Sequence, residues 1–197
     1  MKMKPITIIL DAGHGKSTPG KKFSFGGVTL YEWEYSRELS KRIKVLCDQL
    51  QIPCIQANTD DSDPGLSARA NHINQIVRQE AEKGRQCLMI SLHGNASEKH
   101  NACGWEVYST EGTTNSDKFA NIMCENFKKI FPERKLRGHK EKNFTVIYKT
   151  ACPCVLTENF FYDYKSDFDL MMSEEGLQRI TDLHIHSICD YIEYEVV

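Results

Sequence analysis

Long hydrophobic runs are missing from this 197-residue chain. No stretch reaches the roughly 20 apolar residues of a membrane span, so no membrane insertion is expected. An excess of positive charge is missing too. The 25 Lys and Arg are outnumbered by 27 Asp and Glu, for a net charge of −2, which argues against nucleic acid as a partner. The opening Met1 to Pro5 runs straight into Ile6-Thr7-Ile8-Ile9-Leu10. That apolar stretch is too short for a signal-peptide core, and no small-residue cleavage site follows. The expectation is synthesis in the cytoplasm without a signal peptide. Repeats, low-complexity tracts and linkers are absent. This length suits one well-buried core better than two, so residues 1–197 are expected to form a single domain acting as a monomer.

Two familiar motifs also fail. Gly15-Lys16-Ser17 resembles the end of a phosphate-binding loop, but that motif needs a glycine five positions before Gly15, where Leu10 stands. Cys152-Pro153-Cys154 is not a CxxC pair, so neither a redox centre nor a zinc knuckle is indicated. The chain has eight cysteines. Those in apolar runs such as Gln86-Cys87-Leu88-Met89-Ile90 read as reduced core thiols, because a free cysteine packs as a small hydrophobe.

What is present is an alternation of short apolar runs with amphipathic segments, the pattern of an α/β fold. Strands are predicted at Ile6 to Asp11, Ile52 to Asn58, Cys87 to Leu92, Gly104 to Ser109, Phe144 to Tyr148 and Cys154 to Glu158. Helical spacing predicts helices over Ser36 to Leu50, Leu66 to Glu82, Asn115 to Ile130 and Glu174 to Tyr191. These fit one central six-stranded sheet, mostly parallel or mixed, with helices on both faces in a phosphorylase/hydrolase-like arrangement. Residues 131 to 143 read as a modest basic loop, too short for a regulatory helix, so the site is expected to be constitutively open.

Polar residues fall at strand ends, where open α/β sheets build their sites. Asp11-Ala12-Gly13-His14-Gly15 follows the first strand, Ser91-Leu92-His93-Gly94-Asn95 ends the third, and Glu158 ends the last. Gly13 and Gly15 allow a tight turn that holds one imidazole forward. A carboxylate at the end of the buried run Val155-Leu156-Thr157 is costly unless paired or bound to metal. Taken singly, a histidine at a strand end is more often a surface or hydrogen-bonded residue than a ligand, and without the two histidines a helix-cap or salt-bridge role would be favoured for Glu158.

In order and spacing, these motifs resemble the zinc-dependent N-acetylmuramoyl-L-alanine amidases of the Amidase_3 type. The resemblance covers Asp11 to Gly15, Glu32, the set Leu66, Arg69 and Asn74, Ser91 to Asn95, Gly104 to Tyr108, and Pro153 to Glu158. It implies a Zn2+ site held by His14, Glu32 and His93, with Glu158 as the catalytic acid–base. The implied reaction is hydrolysis of the amide between N-acetylmuramic acid and L-alanine in bacterial peptidoglycan. One departure is Ser36, where the family has asparagine. Glu34 competes with Glu32 as ligand, and Glu32 is favoured because it keeps the following helix in phase. Arg69 and Asn95 are weaker candidates for binding substrate; Arg69 could equally anchor a loop through an ion pair, and Asn95 could orient His93. Trp33, Trp105 and Phe160 to Tyr162 could line a groove or simply pack.

The resemblance further implies action at the cell wall, and the missing signal fits a phage or prophage endolysin. Two other functions remain open on the residues: an inactive wall-binding module, and a zinc carboxypeptidase acting on free peptides.

Overall fold

The computed structural model describes residues 5–196; the reading of Met1 to Lys4 lies outside the described residues. The chain opens with β1 (Ile6–Ala12), a hairpin of β2 (Lys22–Phe25) and β3 (Val28–Tyr31), α1 (Glu32–Gln49), β4 (Cys54–Gln56) and α2 (Leu66–Glu82). It continues through β5 (Gln86–Asn95), β6 (Trp105–Ser109), α3 (Ser116–Ile130), β7 (Leu136–Glu141) and α4 (Thr145–Tyr148). It closes with β8 (Cys154–Phe161), α5 (Lys165–Met172) and α6 (Glu174–Val196). The result is a single α/β domain around a mixed six-stranded sheet of order β4-β1-β5-β8-β6-β7. β4, β1, β5 and β8 are mutually parallel, while β6 runs antiparallel to β8 and carries β7 parallel to itself.

The period-2 alternation of β1 explains the layering. Ile8 and Leu10 turn to one face, where α1, α3 and α6 supply Leu39, Ile43, Phe119, Phe127 and Ile188. Ile9 turns to the other, against Ile73 and Ile76 of α2 and Val146 and Ile147 of α4. Both faces of the parallel strands are covered, which is why β1 and β5 read as unbroken apolar runs. Five cysteines are buried and three partly buried, all as free thiols. No helix among the described residues is long and apolar enough to cross a membrane.

Several predicted elements need correction. Phe144 to Tyr148 is expected as a strand, but Thr145–Tyr148 is a helical turn. Its β-branched residues favour a strand locally, yet the turn buries Val146 and Ile147 side by side in the core beneath α2. The sixth strand is instead β7, inside the stretch expected as a basic loop. Its sequence Leu-Arg-Gly-His-Lys-Glu has no apolar alternation because it is a half-exposed edge strand, the position where charge is tolerated and useful. The helix expected from Ser36 begins four residues earlier, at Glu32. The β2–β3 hairpin and α5 carry no strong periodic signal and are absent from the prediction.

Candidate metal centre

The strands β1, β5 and β8 lie side by side, and their carboxyl ends deliver the polar groups: His14 from the loop after β1, His93 and Glu158 from the carboxyl-terminal halves of β5 and β8. His14 follows β1 in a left-handed backbone conformation, with φ of 60°. This is an uncommon state for a residue with a Cβ. Gly13 makes the turn possible: a Cβ there would lie 2.4 Å from Cε1 of His93. Gly15 is equally confined, since a Cβ would lie 2.5 Å from the Ser62 backbone. Arg37 of α1 pins the same loop by donating to the carbonyls of Ala12 and His14 at 2.9 and 2.8 Å, and to that of Asp60 at 3.0 Å.

Glu32 arrives by a different route. The hairpin feeds directly into α1, and Glu32 is the first residue of that helix, where the partial positive charge of the helix start favours a carboxylate. Its backbone N–H donates to the Lys21 carbonyl at 2.9 Å, tying it to the hairpin. Glu32 is 1% exposed. Its Oε1 lies 3.0 Å from Nδ1 of His93 and 3.2 Å from Nε2 of His14. Its Oε2 receives the Tyr162 hydroxyl at 3.4 Å, with the Lys21 ammonium 3.6 Å away. Glu34, the alternative ligand, sits on the exposed side of the helix.

Three donor atoms, one each from His14, Glu32 and His93, lie within 4.8 Å of one another. Burial raises the Glu32 pKa, but the hydrogen bonds and charges of both imidazoles outweigh it and hold the carboxyl well below the ordinary range. Burial likewise pushes His93 down, against the pull of Glu32. Nε2 of His93 is buried without a hydrogen-bond partner, which buried polar atoms rarely tolerate. An anionic carboxylate beside two imidazoles, that of His93 pushed by burial toward its neutral form, is the donor chemistry that suits zinc. The residues therefore fit such an ion.

Glu158 stands opposite His93 in the β5–β8 register. Just beyond, the register shifts so that Asn95 pairs with Phe161, and Phe160 takes a left-handed φ of 69°. Bulges of this kind re-aim side chains next to active sites. Burial, followed by the nearby charge of Glu32, pushes the Glu158 carboxyl well above its ordinary pKa, while Lys21 opposes. Its Oε2 also has no partner.

The weaker candidates occupy different surroundings. Arg69 is 4% exposed and grips the Asp11 carboxylate through Nε and Nη2 at 3.0 and 2.5 Å, while Ser91 donates to the same group at 2.7 Å. Arg69 also lines a cavity of about 340 Å3 with Asn58, Asp60, Ser62 and His72. Asn95 donates from its side chain to Glu106 at 2.8 Å. Trp105 is fully buried, stacked on Phe127 at 5.4 Å. Sequence reasoning overlooked Asn159, whose amide donates to the His93 carbonyl at 3.0 Å while its Oδ1 takes the Trp105 indole N–H at 3.0 Å. It overlooked Arg37 as well, and it named Tyr162 only within the aromatic run, not as a partner of Glu32. No spacing rule marks these three, because each acts on an element distant in sequence.

Two imidazoles, a buried carboxylate and a second, unpaired acid at the carboxyl ends of the central strands of an α/β sheet define a candidate metallohydrolase centre. The Amidase_3 sequence profile, described as N-acetylmuramoyl-L-alanine amidase, matches residues 8–190, and the chain belongs to that family. It is 28% identical over 184 residues to the N-acetylmuramoyl-L-alanine amidase CwlM of Bacillus licheniformis, covering 93% of this chain and 67% of that one. It is 30% identical over 198 residues to an uncharacterized cell wall amidase of Bacillus anthracis, covering 96% of this chain but only 36% of that one. The chain thus spans about a third of the second relative. Among solved structures, an N-acetylmuramoyl-L-alanine amidase from Clostridium difficile 630 superposes with a TM-score of 0.83 at 20% identity, covering 97% of this chain and 98% of that one. At that identity the likeness speaks for the fold.

Proposed function

We propose that the protein is a zinc-dependent peptidoglycan amidase that hydrolyses the bond between N-acetylmuramic acid and L-alanine. The carrying observation is the convergence of His14, Glu32 and His93 donor atoms within 4.8 Å, beside a Glu158 oxygen that has no partner. Family membership over residues 8–190 supports the choice of amide.

His14, Glu32 and His93 would hold the ion. When bound, zinc supplies a Lewis acid that polarises the amide carbonyl and makes water acidic near neutral pH. Glu158 has the proton work: one carboxylate oxygen takes the proton of the attacking water, then returns it to the alanine nitrogen as the C–N bond breaks. A carboxyl whose pKa is raised by burial and like charge is suited to both halves of that exchange. Tyr162 and Lys21 steady the far oxygen of Glu32, and Asn159 fixes the backbone that carries His93.

Digestion of purified sacculi with and without a chelator tests this reading. The expected products are stem peptides with a free N-terminal alanine, released only without chelator. New reducing sugar ends, or cleavage indifferent to chelator, would contradict it. Soluble peptides cleaved in preference to intact murein would favour a carboxypeptidase instead.

A further inference from the structure

One polar cluster at the edge of the site has no part in the proton transfers. Glu106 of β6 is 3% exposed and is the direct strand neighbour of Glu158 across the antiparallel β6–β8 pair, so the two side chains share a face. Oε1 of Glu106 accepts from the Tyr108 hydroxyl and the Asn95 amide, each at 2.8 Å. Oε2 accepts from Nε of Arg137 and Nζ of Lys140, each at 2.5 Å. Two cations thus converge on one carboxylate and leave a surplus positive charge.

A bulge in β7 makes this convergence possible. In a regular strand, residues three apart point to opposite faces. Here Trp105 pairs with Leu136 but Glu106 pairs with Gly138, and Gly138 adopts a left-handed φ of 89°. The extra residue brings Arg137 and Lys140 to the same side, while His139 between them turns to the Ser109 hydroxyl at 2.7 Å.

Arg137 is only partly used by these contacts. Its Nε is held by Glu106, and its guanidinium carbon lies 4.9 Å from the centre of the Phe161 ring. Its two terminal amino groups meet no acceptor among the described residues, and the side chain is 25% exposed. A guanidinium anchored at Nε and laid over a ring has lost its freedom in advance. The remaining pair of amino groups forms a fork matched to the two oxygens of a carboxylate.

We propose that Arg137 is the receptor for a free carboxylate of the stem peptide, bound beside Glu158, so that acidic stem peptides are selected over amidated ones. The inference rests on the amidase reading above and names the chemistry that reading leaves open.

Two soluble muramoyl dipeptides provide the test, alike except that the second residue carries either a free carboxylate or a carboxamide. With the intact, zinc-loaded protein, kcat/KM for the acid should exceed that for the amide by about 10- to 100-fold, the range of charge-assisted hydrogen bonds. Arg137→Gln should bring that ratio close to one, and Arg137→Lys, which keeps charge without the fork, should fall between. A readout without turnover is the Kd of the acid dipeptide for the Glu158→Gln protein, which should rise by a similar factor when Arg137→Gln is added. Equal turnover of acid and amide by the wild type would overturn the carboxylate subsite and leave the amidase reading standing. So would Arg137→Gln losses that are equal on both dipeptides, since a structural role would produce them. Failure to hydrolyse either dipeptide or sacculi would remove both readings together.

Discussion

Gly13 lies under the ring of His93 so closely that a Cβ would meet three of its ring atoms, at 2.4, 2.5 and 2.9 Å. The turn after β1 and the end of β5 are therefore fitted to each other at one position, and that position carries a candidate ligand. Gly13→Ala should displace the imidazole and weaken zinc binding by roughly 10- to 100-fold, the scale on which disturbed ligand support acts. Chelator competition against the wild type measures this. Undiminished affinity would show that His93 is free to move aside without cost.

Arg69 and Asp11 form a buried ion pair, 3% and 1% exposed, that joins α2 to β1 just ahead of His14. Removing one partner of such a pair typically costs about 3–5 kcal/mol, because the other charge is left buried alone. Arg69→Met should lower stability by that amount, and Asp11→Asn in the same background should recover part of it. Urea unfolding of the single and double variants gives the coupling. A loss under 1 kcal/mol for Arg69→Met, or no recovery in the double variant, would show that the pair does not hold the loop.

His184 is fully buried on α6. Its Nδ1–H donates to the Ile180 carbonyl at 2.8 Å, and its Nε2 stands 3.3 Å from the Thr157 hydroxyl, one residue from Glu158. Burial pushes its pKa down to about 4. In the unfolded chain the ring takes up a proton as pH falls through about 6.5, whereas the folded ring stays neutral until about pH 4. The stability this contributes is complete above pH 6.5 and is lost progressively down to pH 4. Between pH 7.5 and pH 5 the wild type should lose about 2 kcal/mol more than His184→Asn. Equal slopes for the two proteins in urea titrations at those pH values would refute the assignment.

The parts of the fold legible in the sequence are those whose pattern is local. β1, β5 and β8 announce themselves as apolar runs because parallel strands are covered on both faces, and α2 was bounded to the residue by its 3.6-residue period. The edge strand β7 was hidden because a half-exposed strand of Leu136, Arg137, Gly138, His139, Lys140 and Glu141 has no apolar face to alternate. Conversely, Val146 and Ile147 look like strand residues, and only the core beneath α2 makes them a helical turn. Of the site, His14, His93 and Glu158 were visible as polar groups at strand ends. Glu32 was not, since it lies on no strand end; the resemblance offered it, the phase of the following helix favoured it over Glu34, and the hairpin that carries it was unseen. The supporting contacts of Arg37, Asn159 and Tyr162 span 23 to 130 residues of sequence and leave no periodic trace.

Elemental analysis of the purified protein, set beside its activity on sacculi, tests the central claim most directly. Wild type should carry one zinc per chain, and Glu32→Gln and His93→Ala should carry almost none. Glu158→Gln should keep its zinc while losing about 10² to 10⁴ in rate, the usual worth of a general acid–base. Full zinc in Glu32→Gln and His93→Ala, or full activity in Glu158→Gln, would contradict the account.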